Sequence, residues 1–231
     1  MKHCVITGAN RGIGLELVRT YLARDEWHVH ACCREPDKAE ALRDLVPANL
    51  GRITLHRLEV TDQKAVEALA RDLSDLPFGL LINNAGIKGG EHQALNDMDY
   101  DAWAETLTVN TIAPFRVTEA LLPSLRRTPG AMVATISSQL GAMSLRGADR
   151  YAYRSSKAAV NKVMQGMAED LRGDGITCVL FHPGWVKTDM GGENAEILAG
   201  ESATGIAQTL DRLTLTDSGG FFKWNGEKHE W

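Results

Sequence analysis

The sequence predicts an α/β fold: a doubly wound, parallel sheet of about seven strands with helices on both faces. Three observations carry this. Short apolar runs alternate with longer stretches patterned at helical spacing along the whole chain. The first run, over residues 2–6, passes straight into a glycine turn and then a helix. Polar, chemistry-bearing residues recur where such strands would end, and that rim is where open α/β sheets bind ligands.

A length of 231 residues suits one domain over 1–231, with room for a sizeable core. The 44% hydrophobic and 24% charged content is that of an ordinary globular chain. No apolar run is long enough to span a bilayer, and the opening segment reaches a glycine loop before any secretory core. A cytoplasmic protein without a membrane partner is the expectation. The net charge of −5 argues against nucleic acid as a partner.

After the first strand, Leu15, Leu17, Val18, Tyr21 and Leu22 repeat at helical spacing. Between strand and helix lie Gly8, Asn10, Arg11, Gly12, Ile13 and Gly14. Glycines there let the backbone approach an anion, beside free N–H groups and the positive end of the helix dipole. The spacing differs from the common G-x-G-x-x-G, and a glycine turn can be only a turn. Its place in the first strand–helix unit makes a phosphate site the better reading.

Residues 27–33 read as the second strand, closed by Arg34. The residue at that point of a doubly wound sheet meets the adenosine ribose, where an acid would bind a free 2′-hydroxyl. Arg34, with Arg11 able to approach, suits a 2′-phosphate instead. NADP(H) is therefore favoured, with NAD(H) as the alternative, although arginines at strand ends are often merely solvated. His28 and His30 share one face of this strand, but no third ligand accompanies them nearby, so no metal site is expected. The four cysteines fall in or beside apolar strands without zinc spacing and read as buried thiols.

A helix is expected over residues 39–46 and a third strand over 53–58. Glu59 and Val60 then lead to Thr61 or Asp62 as the cap of the next helix. The fourth strand, 78–82, ends in Asn83-Asn84-Ala85-Gly86, which can satisfy backbone groups or a ribose. Residues 99–127 form a long helical stretch interrupted at Asn110 and Pro114. Proline removes a backbone hydrogen bond, so a kink or freed carbonyl is expected near Asn110, a place where an asparagine can hold a water reaching Lys157.

The fifth strand, 131–136, delivers Ser137 and Ser138 to the rim, followed by a helix over 152–171. The sixth, 176–181, runs into His182-Pro183-Gly184, which turns the chain across the rim. Residues 190–202 are glycine-rich and suit a mobile flap. A helix over 203–213 and a strand at 221–222 complete the pattern.

Tyr153 and Lys157 are four apart at the start of a helix and so share a face. A cation ~4 Å from a phenol, at an effective dielectric near ~20, is worth roughly 4 kcal/mol, enough to make the phenol markedly more acidic. Such a tyrosine can exchange a proton with an alcohol or carbonyl oxygen. Taken alone, the same pair is ordinary on any amphipathic helix.

Thr7-Gly8-x-x-x-Gly12-x-Gly14, Asn83-Asn84-Ala85-Gly86, Asn110, Ser138, Tyr153-x-x-x-Lys157 and Pro183-Gly184 with Thr188 occur together, in that order. The chain thereby resembles the single-domain short-chain dehydrogenase/reductase family, whose sheet is of the Rossmann type. The segments 182–192 and 221–231 are similar to those of C-factor-like proteins and sniffer-type carbonyl reductases. The resemblance implies a catalytic tetrad of Asn110, Ser138, Tyr153 and Lys157. Ser138 is preferred to Ser137 because it begins Ser-x-x-Gly.

In that reading Ser138 holds the substrate oxygen, Tyr153 exchanges the proton, and Lys157 lowers the tyrosine pKa and holds the nicotinamide ribose. Asn110 orders a water of the relay. Glu59 and Val60 lie near the adenine, where the family usually has aspartate. Asn83, Ala85 and Gly86 join the cofactor site. Pro183, Gly184, Val186 and Thr188 steady the nicotinamide end.

The expected reaction is reversible hydride transfer between NADP(H) and a carbonyl compound or secondary alcohol. Ile87, Leu140, Met143, Trp185 and Met190 suggest an apolar or aromatic ketone or aldehyde. Lys88 and Arg146 would instead suit an anion. Two alternatives go with this: an NADP(H)-binding signalling or redox-sensing protein acting through protein contacts, and a 3-oxoacyl-carrier reductase. The family resemblance and a second apolar flank on the 152–171 helix imply a homodimer or homotetramer.

Overall fold

Strands apolar on both faces must be covered on both. The sixth shows this most clearly, since every residue of Thr177–His182 is buried. The computed structural model describes residues 1–231. Its main sheet comprises β1 (Lys2–Thr7), β2 (Trp27–Cys33), β3 (Ile53–Arg57), β4 (Leu80–Asn83), β5 (Met132–Ile136), β6 (Thr177–His182) and β7 (Phe221–Lys223). All are parallel, in spatial order β7-β6-β5-β4-β1-β2-β3. The order reverses between β1 and β4, so the connections leaving those strands part to opposite faces and open a crevice at their carboxyl ends.

On one face lie α1 (Gly12–Leu22) and α7 (Ala199–Leu210), whose Leu17, Val18 and Ile206 join Ile6, Val29 and Phe181 in one core layer. On the other lie α3 (Gln63–Asp72), α5 (Ala113–Leu125) and α6 (Tyr151–Asp170), which bury Val66, Leu121 and Met164 against Val5, Leu81 and Val133. No helix is long and apolar enough to cross a membrane.

Asp62 caps α3, accepting from the Lys64 amide at 2.9 Å, while Thr61 is held by Glu59. The long helical stretch begins as α4 (Tyr100–Leu107), passes through a π-helical turn at Thr108–Ile112 and continues as α5. The cause is Pro114, which has no N–H to give the Asn110 carbonyl four residues back.

Three expectations need correction. The helix over 39–46 shrinks to α2 (Glu40–Arg43) between 3₁₀ turns that begin at Pro36 and Pro47. Residues 190–202 do not form a free flap: Ile197–Leu198 pairs in parallel with Val186–Lys187, Ala195 is buried, and the last helix starts at Ala199. A two-stranded ribbon of Gln93–Ala94 and Asp97–Met98 stands where no strand was expected.

The histidines of β2 also have company that the chain order hides. His3 on β1 lies in register with His28, and His56 on β3 lies in register with Cys32. Val5 and Cys32, each two residues on, pack in the α3–α5–α6 layer, so His3, His28, His30 and His56 share that face.

Candidate active site

At the carboxyl ends of the strands, where the order reverses, a groove of about 890 Å³ opens. Its walls bring together Gly8, Asn10, Arg11, Gly12, Ile13 and Gly14 with Arg34, Glu59 and Val60. Ala85, Gly86, Tyr153, Lys157, Pro183 and Thr188 complete them. These residues come from six different segments of chain.

The glycine turn is fixed by close approach. A Cβ on Gly14 would lie 2.1 Å from the Gly8 carbonyl oxygen, and Gly8 itself has φ +64° with the Ala85 backbone against it. The turn is tied to the end of β4 by Thr7 and Asn84, the latter satisfying backbone groups as an asparagine at that strand end was expected to. Thr7 Oγ1 accepts from the amides of Asn84 and Ala85 at 3.0 and 3.1 Å, and Asn84 Nδ2 donates to the carbonyls of Thr7 and Gly8 at 3.0 Å.

Asn83 is the corrected member of that pair. Its side chain is buried and donates to Thr118 Oγ1 at 3.0 Å, because alternation along β4 turns it toward α5 and leaves Asn84 at the groove. Gly184 and Val186 also stand behind the wall. Gly184, at φ +88°, lets the chain pass beneath Ile197, and Val186 is buried in its ribbon. Arg11 pairs with Asp189 at 2.6 Å across the mouth rather than pointing toward Arg34. Arg34 is largely exposed, with Nε 4.0 Å from Glu59.

At the other end, α6 presents Tyr153 and Lys157 on one face. The ammonium lies 5.8 Å from the centre of the Tyr153 ring and donates to the Ile136 carbonyl at 2.9 Å. The expected acidification of the phenol does not follow. Burial pushes Tyr153 above its ordinary value, while a hydrogen bond with Ser138 and the charge of Arg150 pull it the other way. Lys157 is itself pushed down to about 8 by burial, and its proton is committed to a carbonyl. Ser138 caps the 3₁₀ turn Gln139–Gly141, accepting from the Leu140 amide, whereas Ser137 donates to Asn161 at 2.5 Å.

Asn110 is buried, and its side chain is spent on protein. Oδ1 accepts from the Ile87 amide, and Nδ2 donates to the Ile87 carbonyl and to Ser156 Oγ. The side chain therefore clamps the strand-end loop to α6, and Ser156 passes the clamp on to the Tyr153 carbonyl at 2.8 Å. Gln93 is a further buried organiser: Oε1 accepts from the Tyr153 amide at 3.0 Å while Nε2 donates to Lys88 and Gly90. Nothing in the motif spacing pointed to Gln93, since its ribbon is closed by a turn of irregular sequence.

Of the expected substrate-pocket residues, Ile87, Lys88 and Met190 line the groove. Leu140, Met143, Trp185 and Arg146 do not; Met143 is 83% exposed, and Trp185 Nε1 is held by the Gly191 carbonyl.

Residues 2–198 match the short chain dehydrogenase family. The chain is 42% identical to the C-signal protein of Myxococcus xanthus over 167 residues, which is 72% of this chain and all of that one. Its fold is similar to an NADPH-bound carbonyl reductase from chicken fatty liver, with a TM-score of 0.91 at 35% identity, covering 100% of this chain and 99% of that one. The carbonyl reductase Sniffer of D. melanogaster superposes with a TM-score of 0.93 at 32% identity, covering both chains completely.

Proposed function

The chain belongs to the short-chain dehydrogenase family and is an oxidoreductase of carbonyl or alcohol groups; from that premise we propose that it is an NADP(H)-dependent reductase of apolar ketones or aldehydes. The observation that carries the reading is one groove holding a glycine cradle at one end and Tyr153 with Lys157 at the other. The residues fit a dinucleotide. Gly8 and Gly14 let the turn pack backbone against backbone, with Asn10, Arg11 and Gly12 left along the groove for a diphosphate, and Arg34, held only by one 4.0 Å contact with Glu59, offers an exposed guanidinium for a 2′-phosphate. The NADPH of the chicken carbonyl reductase supports the same choice.

When bound, the cofactor supplies or accepts the hydride. Ser138 holds the substrate oxygen and stabilises charge developing on it. Tyr153 gives its phenolic proton to that oxygen in reduction and takes it back in oxidation; burial, which holds the phenol above its ordinary value, keeps it protonated at neutral pH. Lys157 keeps a positive charge beside the ring below about pH 8 and is within reach of a ribose. Gly86 separates Asn110 from Lys157, since a Cβ there would lie 3.2 Å from Asn110 Oδ1 and 3.7 Å from Nζ. Thr188 stands close against Gly12, its methyl 3.2 Å from where a Cβ on Gly12 would lie, and its part in this reading is to steady the nicotinamide end. Ile87 and Met190 give the substrate end an apolar wall.

Two further features belong to this reading. A homodimer or homotetramer would cover the apolar side chains of Ile112 and Phe115, 49% and 42% exposed. The 42% identity to C-signal favours, as a second reading, a signalling role through protein contacts that accompanies the reductase activity.

The test is Tyr153→Phe. NADPH binding, followed by fluorescence titration, should survive, while NADPH consumption across a panel of ketones and aldehydes falls by about two to four orders of magnitude. Near-normal turnover in the variant would refute the role of the tyrosine. Absence of turnover on every carbonyl, with NADPH-dependent association intact, would favour the signalling reading.

A further inference from the structure

We propose that His3, His28 and His30 form a binding site for one divalent first-row transition ion, of the nickel–copper–zinc group, on the sheet face beside α3. The site is separate from the cofactor groove. His3 and His28 stand at the amino-terminal ends of β1 and β2, whereas the groove opens at the carboxyl ends.

Geometry is the first support. The nearest ligand atoms of the three imidazoles all lie within 4.8 Å of one another. One pair, His3 Nδ1 and His30 Nε2, is already 3.0 Å apart. Two nitrogens each bonded at about 2.1 Å to a single ion stand roughly 3.0–3.4 Å apart. From the 4.8 Å limit to about 3.4 Å the third ligand moves by up to about 1.4 Å, which a half-buried side chain at a strand start can make.

Orientation is the second. The Gly51 carbonyl can only accept, so its 3.0 Å contact places the proton of His28 on Nδ1 and makes Nε2 the lone-pair nitrogen, accepting from the Thr54 hydroxyl until an ion replaces it. Thr54 Oγ1, 2.9 Å from Nε2, is a hydroxyl that can rotate away. His30 can be arranged in the same manner: its Nδ1 faces His56 Nε2 at 3.0 Å, and in the tautomer with the proton on Nδ1, His56 accepts it and Nε2 is left for the ion. A ligating imidazole usually donates its other N–H to a carbonyl or comparable acceptor, which fixes both tautomer and ring. Here a carbonyl serves His28 and an imidazole serves His30.

Ligand chemistry selects the ion. Three imidazoles with no carboxylate among them disfavour calcium and magnesium and suit zinc, copper or nickel. Access is open, because His3 and His28 are half-buried and only His30 is fully enclosed. The hydrogen that His3 and His30 share moves to an outward nitrogen when the ion replaces it, so every imidazole stays neutral. The ion would link β1 to β2.

The experiment titrates the full chain with Zn²⁺ by calorimetry and with Cu²⁺ by electron paramagnetic resonance. One ion per chain is expected, with nitrogen couplings in the copper spectrum and a raised unfolding midpoint under excess Zn²⁺. His3→Ala and His28→Ala should each weaken binding by about tenfold or more and remove the midpoint shift. Both positions are partly solvated, so folding, checked by circular dichroism, should persist, as should NADPH consumption. His92→Ala, on a distant exposed histidine, should bind as the parent does. No saturable binding, or binding undiminished in both variants, overturns the site.

Discussion

Arg34 closes β2 with its guanidinium 4.0 Å from Glu59, and Glu59 already accepts two hydrogen bonds from Thr61. A phosphate arriving at Arg34 therefore competes with only one long, solvent-screened contact. Charge-assisted hydrogen bonds are worth about 1.5–3 kcal/mol, or roughly ten- to hundred-fold in affinity. Arg34→Ala should weaken NADPH binding by that factor and leave NADH binding nearly unchanged, as read by titrating both cofactors. Equal losses for the two would place the 2′-phosphate elsewhere. Tyr153 teaches a related lesson at the same scale. Charge four residues away along a helix acts through distance and solvation: the Lys157 ammonium is turned to the Ile136 carbonyl, and burial outweighs the Ser138 hydrogen bond and the Arg150 charge.

Among elements, the glycines separate loop geometry from helix propensity. Gly14→Ala puts a methyl 2.1 Å from the Gly8 carbonyl, so the turn must open; NADPH affinity should fall by about tenfold or more, with roughly 1–3 kcal/mol lost from stability. Gly166, exposed on α6, has nothing within 4 Å of where a methyl would stand, and Gly166→Ala should raise stability by about 1 kcal/mol while binding stays constant. Chemical denaturation and cofactor titration on both variants check the contrast. The same elements show what a sequence can reveal. The glycine turn, the Tyr153–Lys157 pair and the break caused by Pro114 each depend on residues close along the chain, and spacing displays them. Asn84 in place of Asn83 depends on which way a strand's alternation falls. Gln93 and the approach of His3 to His28 depend on neighbouring segments, and no periodicity within one segment encodes them.

For the whole molecule, the far edge of the sheet carries a stability that depends on pH. His182 ends β6, stacks edge-on to His229 of the C-terminal segment and is nearly enclosed, with a buried Nδ1 that has no partner. Burial first, and then the charges of His229 and Lys223, hold its pKa down at about 4 against an ordinary 6.5. The sign follows from proton counting. Above pH 6.5 neither folded nor unfolded chain protonates this ring, and its contribution is complete; as pH falls toward 4 the unfolded chain takes up the proton first, and stability drains away by on the order of 3 kcal/mol. His30, pushed down to about 3 chiefly by burial, drifts the same way, so the measurement must be a difference. Denaturation midpoints of the parent and His182→Asn between pH 7 and pH 4 should converge as the pH drops, because only the parent loses the His182 term. Parallel curves would mean that the ring is charged in place, paired with an acceptor that this arrangement of β6, β7 and the C-terminal segment does not contain.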